Sequence, residues 1–152
     1  MTRSILMWRD VSGALPEPVW PEGIVRVPLV DADPREIHAL LSASYEEAGR
    51  SMPGFLAWWD AIRSDEEFDP LLCFIAQDPL GHIVGFALCR SSGFIRELAV
   101  HADYRRLGLA SALLAEAFQA FSARGVDQVA LRVEEENAVA RHLYDDIGFA
   151  AA

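Results

Sequence analysis

The hydrophobic and polar positions of this chain change their spacing several times, and each change marks a predicted element. Apolar residues alternate with polar ones over residues 24–29, a pattern typical of a half-buried strand. Residues 71–77, 83–90 and 94–100 are further apolar runs, separated by short stretches of Pro, Gly, Ser and Asp. Such short connections predict that these three strands form an antiparallel meander.

Two predicted helices lie between the first strand and the meander. The first begins at Asp33, a good capping residue, because Pro34 suits the first helical position and apolar residues then recur at helical spacing. Gly49 ends this helix. The second helix covers residues 55–63, which include two tryptophans.

The last third of the chain predicts a helix, a strand and a helix. Apolar residues recur at helical spacing from Ala110, and Gly125 ends this long amphipathic helix. Residues 128–133 form a strand, and Asn137 caps a final helix that ends before Gly148. We expect the strands that flank the long helix to be parallel and joined by a right-handed crossover. The predicted fold class is α/β (α+β), with a mixed, mostly antiparallel sheet.

The N-terminal residues predict less regular structure. The apolar run at residues 5–8 predicts an edge strand. Residues 11–28 hold four of the eight prolines, which favours an extended segment over a helix. The length of 152 residues fits one domain. We therefore divide the chain into an N-terminal extension, residues 1–22, and a main domain, residues 23–152.

Composition narrows the classes of partner. The formal net charge is −10, from 23 acidic and 13 basic residues, and every basic residue is Arg. This acidity argues against nucleic acid and anionic membranes as partners, and the absence of Lys excludes a P-loop or a lysine Schiff base. Since no long apolar stretch or signal peptide is recognisable, we expect a cytoplasmic protein. Cys73 and Cys89 have no metal-ligand spacing, so we expect free thiols and no metal.

One segment carries candidate chemistry, the turn between the strand at residues 94–100 and the long helix. Arg105, Gly108 and Ala110 form an Arg-x-x-Gly-x-Ala pattern, whose small residues leave backbone N–H groups uncovered. Those N–H groups and the positive end of the helix dipole favour an anion. Four of the six charged residues in 90–110 are Arg, so this segment is basic within an acidic chain. The alternative is an ordinary glycine-containing turn.

Two blocks of sequence resemble the GNAT family, the Gcn5-related N-acetyltransferases. Residues 94–100 and 104–114 are similar to the acetyl-CoA motif of that family, and residues 137–149 are similar to its second block. The blocks have the order and separation found in the family, and the resemblance covers residues 24–149. It implies the GNAT acyl-CoA N-acyltransferase fold for the main domain, with helices on both faces of a central sheet.

The resemblance also implies how acetyl-CoA, the cosubstrate, binds. Its pyrophosphate would lie on the N–H groups of the turn, and its pantetheine arm would pair with the end of the last meander strand. Asn137 would contact or orient the pantetheine; the alternative is a plain helix cap, and both roles can coexist. The implied cofactor-binding residues are Leu98, Ala99, Val100, Arg105, Arg106, Leu107, Gly108, Leu109, Ala110, Ser111, Asn137 and Tyr144.

Two side chains match catalytic roles of the family. Tyr144 matches the tyrosine that protonates the departing thiolate of coenzyme A, with a packing tyrosine as the alternative. Glu97 is the candidate base, because strand alternation sets it opposite Leu98 and Val100, which would face the long helix. The alternatives for Glu97 are a solvated carboxylate or a partner of Arg96. We expect direct attack of the amine on acetyl-CoA in a ternary complex.

The expected function is transfer of an acetyl group to a primary amine of a small molecule or peptide. A non-catalytic acyl-CoA-binding or interaction module is the alternative. In the family, the acceptor site includes the loop between the first two helices. Here, carboxylates beside aromatic residues suit a cationic amine, and the alternative is a solvated helix face above core aromatics. The residues concerned are Tyr45, Glu46, Glu47, Arg50, Met52, Phe55, Trp58 and Trp59.

The chain departs from the family at its end. Only three alanines follow Phe149, whereas the family usually adds two more strands. We expect residues 5–11 to supply a substitute strand beside residues 128–133, in the same subunit or across a homodimer; a truncated chain is the alternative. Ala102 stands where the family often has Pro, which leaves the motif otherwise intact.

Overall fold

The computed structural model describes residues 3–152, which form one mixed sheet with helices on both faces. The strands are β1 (Ser4–Asp10), β2 (Val25–Val27), β3 (Phe68–Gln77), β4 (Ile83–Arg90), β5 (Phe94–Val100), β6 (Gln128–Glu134) and β7 (Ala150–Ala151). The helices are α1 (Pro34–Glu47), α2 (Phe55–Arg63), α3 (Leu109–Ala123) and α4 (Ala138–Asp146). The strand order is β2-β3-β4-β5-β6-β1-β7, and only β5 and β6 are parallel within residues 3–152. The predicted fold class is therefore confirmed.

Two predicted strands differ from the structure where proline interrupts the chain. The strand expected over residues 24–29 ends at Val27, because Pro28 has no N–H to donate and a 3-10 turn follows it. β3 begins at Phe68, earlier than predicted, and its pairing with β4 is irregular around Pro70. A proline is tolerated there because the irregular ladder does not need its missing donor.

The helices cover the two faces of the sheet with separate apolar clusters. On one face, α3 packs through Phe118 and Phe121, which are fully buried, and α4 packs beside it. On the other face, α1 and α2 pack through Ile37, Leu41 and Trp58. Burial of each such side chain stabilises the fold by roughly 1.5–3 kcal/mol. No helix within residues 3–152 is both long and apolar enough to cross a membrane.

The N-terminal strand completes the second half of the sheet. β1 lies beside β6 of the same chain, joined by seven antiparallel pairs that run from Ser4 to Asp10. This is the position expected for residues 5–11. β1 is not the edge strand that residues 5–8 predicted, because β7 pairs with its other side. The sequence pattern does not predict β7, since two alanines carry no strand signal. The division of the chain after residue 22 stays a prediction.

The two parallel strands separate soon after they meet. Only Phe94 and Ile95 of β5 have partners in β6, where they pair with Ala130 and Leu131. The pairing starts at Gly93, whose carbonyl accepts a hydrogen bond from the N–H of Ala130 at 2.8 Å. Beyond these pairs the strands part, and we call this opening the fork. The fork is the structural feature that creates space for a site within the sheet.

We expect Gly93→Ala to lower the free energy of unfolding by about 2–3 kcal/mol, measured by urea denaturation. Gly93 has φ +109°, and a Cβ there would lie 2.8 Å from the carbonyl oxygen of Gln128. The control is Gly13→Ala, because a Cβ at Gly13 meets no atom within 4 Å and the residue has no positive φ. An equal effect of the two substitutions would contradict the close approach at Gly93.

Candidate functional site

A cleft of about 240 Å³ opens at the fork, bounded by α1, the loop after α1, β5, β6 and α4. It brings together four of the predicted catalytic and cofactor-binding residues, which come from two segments far apart in the chain. These are Glu97 and Leu98 of β5 with Asn137 and Tyr144 at α4.

A bulge in β5 decides which side chains enter the cleft. Ile95 and Glu97 pair with consecutive residues of β4, so Arg96 is an extra residue in β5. As a result, Arg96 and Glu97 both face α1 and α2, where Arg96 lies 3.6 Å from Asp65, just after α2. Leu98 returns to the α3 face. The predicted alternation of Glu97 against Leu98 is therefore confirmed, and the bulge adds an arginine beside Glu97.

The carboxylate of Glu97 is half-buried and accepts hydrogen bonds from the Tyr45 hydroxyl, at 3.0 Å to one oxygen and 3.3 Å to the other. Burial raises the pKa of Glu97, and the Tyr45 hydrogen bond and the charges of Arg96 and Arg50 only partly offset this effect. Neither alternative for Glu97 describes it, because its direct partner is Tyr45. A carboxylate with a raised pKa is suited to accepting a proton near neutral pH.

α4 supplies the two other predicted side chains. The ring of Tyr144 packs edge-on against Phe149, with the ring centroids 5.7 Å apart. Burial raises the pKa of the Tyr144 hydroxyl to about 12. Tyr144 therefore packs against the core and also lines the cleft as a protonated phenol. The side-chain oxygen of Asn137 accepts a hydrogen bond from the N–H of Ala140 at 3.1 Å, so the helix-cap alternative for Asn137 is confirmed.

The backbone of β5 beyond the bulge is partly available to a ligand. The N–H of His101 donates to the carbonyl of Val84 at 2.8 Å. Because hydrogen-bonded positions alternate along an antiparallel pair, Ala99 also directs its N–H and C=O to β4. Leu98 and Val100 direct theirs into the fork. Two of the three residues expected to pair with pantetheine therefore have the required backbone orientation, and Ala99 does not.

The turn before α3 presents a row of unpaired backbone donors. Within the described backbone, the N–H groups from Arg106 to Ser111 have no acceptor. The chain turns through two left-handed residues, Arg106 at φ +63° and Gly108 at φ +86°, and no side chain caps α3. We call the backbone of residues 106–111 the N–H cradle. Unpaired donors at a helix N-terminus are suited to anions, and anion binding by this segment stays a prediction.

Arg105 points away from the cradle and joins it to α1. Its guanidinium forms hydrogen bonds of 2.7 and 3.2 Å with Glu47, and its Nε donates to the carbonyl of Val100 at 3.2 Å. The hydrogen bond from Arg105 holds the pKa of Glu47 below its usual range. A contact between Arg105 and a phosphate stays a prediction, and such a contact would compete with Glu47.

Fewer of the expected acceptor-site residues line the cleft than the sequence predicted. Tyr45 and Arg50 line the cleft, and the Arg50 guanidinium pairs with Glu134 at 2.9 Å and lies 5.3 Å from the centre of the Tyr45 ring. The tryptophans do not line it, because Trp58 is 6% exposed and Trp59 packs against the same core cluster. The alternative of core aromatics is therefore correct for them.

The sequence analysis did not predict that Arg96, Arg132 and Glu134 line the cleft. Arg132 and Glu134 alternate with buried residues of β6, so strand periodicity could have placed them on one face. Arg96 could not be placed in this way, because the bulge changes its face. The hydrogen bond between Tyr45 and Glu97 joins residues 52 positions apart, for which a single sequence carries no signal.

Comparison with known proteins agrees with the resemblance to the GNAT family. The sequence matches the model of the acetyltransferase (GNAT) family over residues 35–149. The mycothiol acetyltransferase of Clavibacter michiganensis subsp. michiganensis is 38% identical over an alignment of 116 residues that covers 74% of this chain and 37% of that protein. The chain thus spans well under half the length of this curated relative.

Solved structures share the fold. A GCN5-related N-acetyltransferase from Sphaerobacter thermophilus superposes with a TM-score of 0.85 and 30% identity, over 99% of this chain and 50% of the other. A structure described as the NatC complex bound to Gag peptide and CoA gives a TM-score of 0.67 and 25% identity, over 84% of each chain. Because the family match extends over most of the sequence and the fold agrees with it, the chain belongs to the acetyltransferase (GNAT) family.

Proposed function

We propose that this protein transfers the acetyl group of acetyl-CoA to a primary amine of a small molecule or peptide. The observation that carries the proposal is the fork, where Glu97 and Tyr144 line one cleft and where the opened edge of β5 leads along the chain to the N–H cradle. Membership of the family supports acetyl-CoA as the cosubstrate. The mycothiol acetyltransferase and the CoA-bound complex are consistent with it.

Acetyl-CoA would bind along the opened edge of β5. Its diphosphate would accept hydrogen bonds from the N–H cradle, where the dipole of α3 favours negative charge. The amide groups of its pantetheine arm would pair with the backbone of Leu98 and Val100 as an added strand does. The carbonyl of Val100 is already occupied by Arg105, so the donor of Val100 and both backbone groups of Leu98 remain for the ligand.

The chemistry requires one base and one acid. The acceptor arrives as an ammonium ion, and Glu97 takes its proton directly or through water. The amine nitrogen then attacks the thioester carbon in the ternary complex, so that an N–C bond forms and the C–S bond breaks. As the C–S bond breaks, Tyr144 gives its hydroxyl proton to the departing sulfur and the nitrogen releases its second proton to solvent. Tyr144 then regains a proton from solvent, and Glu97 returns its proton to solvent. The raised pKa of Tyr144 keeps the hydroxyl protonated until the thiolate develops.

We expect Ser111→Glu to weaken acetyl-CoA binding. Ser111 is the third residue of α3, where a glutamate favours the helix dipole but repels a diphosphate in the cradle. Thermal shift is the measurement, since filling a site at 100 times its dissociation constant stabilises a protein by about 2.7 kcal/mol. The neutral control, Ser111→Gln, should keep the shift. A wild-type protein that acetyl-CoA does not stabilise would refute the proposed function.

We expect Tyr144→Phe to lower kcat for acetylation by about 10²- to 10⁴-fold, since the general acid is lost while the ring still packs. Release of the coenzyme A thiol is the measurement, with acetyl-CoA and a panel of amines. Tyr104→Phe is the matched control, because the Tyr104 hydroxyl contacts Asp78, outside the cleft. An unchanged kcat would show that Tyr144 is not the acid. Binding of acetyl-CoA without transfer by the wild-type protein would indicate the non-catalytic module.

We expect Glu97→Gln to change how stability depends on pH. The pKa of Glu97 is above 4.5 in the folded protein, so protonated Glu97 contributes stability that is complete below about pH 4.5 and is lost as pH rises through the folded-state pKa. Gln remains neutral, so the free energy of unfolding of the variant should rise relative to wild type across that interval. Urea unfolding at several pH values measures it. Glu17→Gln, at an exposed position, is the control, and a flat difference for Glu97→Gln would contradict the raised pKa.

A further inference from the structure

We infer that the acceptor amine carries a carboxylate close to its nitrogen, and that Arg96 and Arg132 bind this carboxylate at the base of the fork. The inference rests on the proposed function and specifies the substrate class of the same cleft. It follows from where the fork begins and from which charges surround it.

The two arginines lie on opposite sides of the point where the strands part. The last parallel pair joins Ile95 to Leu131, and the next residues along the two strands are Arg96 and Arg132. Arg96 faces α2, because it approaches Asp65. Arg132 lies on the same face, because its neighbours Leu131 and Val133 are buried in the α3 cluster. The cleft therefore begins between Arg96 and Arg132, on the face of the sheet that α1 and α2 cover.

The arginines are incompletely neutralised. Among residues 3–152, no carboxylate oxygen lies within 4 Å of the Arg132 guanidinium. The guanidinium instead donates a long hydrogen bond of 3.4 Å to the Ser4 hydroxyl. The ion pair of Arg96 with Asp65 is 3.6 Å long, and Asp65 pairs more closely with Arg90, at 2.8 Å. Arg50, the third arginine of the cleft, is already paired with Glu134.

The sign of the charge in the cleft is opposite to that of the chain. Three arginines and two glutamates line the cleft, whereas the whole chain carries 23 acidic and 13 basic residues. A simple ammonium ion would gain little from such surroundings, since it would approach two like charges at the base of the fork. A zwitterion would place its carboxylate between the arginines, where charge-assisted hydrogen bonds are strong, and its ammonium group next to Glu97.

The spacing along β5 limits how far apart the two groups of the acceptor lie. Glu97 follows Arg96 directly, and both face the same side because of the bulge. Because the two residues are consecutive and about 3.3 Å is the rise of one strand residue, we infer an acceptor whose carboxylate and amine are separated by only a few bonds. This is the arrangement of an α-amino acid, and it disfavours the N-terminal amine of a long peptide.

The test compares matched acceptors that differ only in this charge. L-Amino acids and the corresponding L-amino acid amides are assayed with acetyl-CoA, by release of the coenzyme A thiol. Cys73 and Cys89 are buried, so they contribute little thiol signal of their own. We expect kcat/KM to be about tenfold or more higher for the acids, and Arg132→Gln to abolish most of this preference, a loss of about tenfold. Arg132→Lys keeps the charge and should retain part of the preference.

The controls separate this inference from the proposed function. Arg63→Gln removes an exposed arginine that pairs with Asp60 of its own helix, and it should leave the preference unchanged. The thermal shift with acetyl-CoA should be the same in wild type and Arg132→Gln, which shows that the fold and cofactor site are intact. If acetyl-CoA binds but amides react as well as acids, or neither reacts, the inference is wrong while cofactor binding stands. If acetyl-CoA neither binds nor reacts, the proposed function itself is wrong.

Discussion

The parting of β5 and β6 after two residue pairs is the constraint on which the rest of the site depends. In an ordinary parallel sheet, the backbone groups on both edges of an inner strand are hydrogen-bonded to neighbouring strands, and the interior has no room for a ligand. Here, Leu98 and Val100 lose their neighbour and turn backbone groups into the fork, while the side chains of the two strands diverge around the opening. The Gly93 turn fixes where the pairing starts, and the bulge at Arg96 fixes which residues face each side. The other neighbour of β6 is β1, which comes from the opposite end of the chain. The half of the sheet beyond the fork therefore depends on pairing between residues far apart in the sequence.

The fork also separates two electrostatic environments. Toward the carboxyl end of β5 is the N–H cradle, in which backbone donors and a helix dipole supply the positive potential. Toward its base are arginine side chains that surround the half-buried Glu97. Glu97 and Tyr144 lie on opposite faces of the sheet, and partial burial raises the pKa of each. The ion pair of Arg105 with Glu47 links the turn before α3 to α1.

Several features could be predicted because they are local. The cap at Asp33, the period of α3 and the alternation of Glu97 with Leu98 depend on residues a few positions apart. The errors occur where local pattern and tertiary context disagree. Residues 24–29 alternate like a strand, but Pro28 ends the pairing. The tryptophans of α2 resemble a binding surface in the sequence, but Trp58 fills the core beneath α1.

The sequence by itself, through two local blocks that resemble the GNAT family, predicted the fold family, a candidate anion-binding turn and the candidate base and acid. Only the tertiary structure decided the environment of those groups. The partner of Glu97 is Tyr45, and the neighbour of β6 is β1, since contacts across the sheet join residues with no relation in sequence. The formal charge of −10 describes the chain as a whole, whereas the fold gathers three of its arginines at the cleft. Net charge is a sum over the surface, and the potential at a site depends on which side chains the fold brings together.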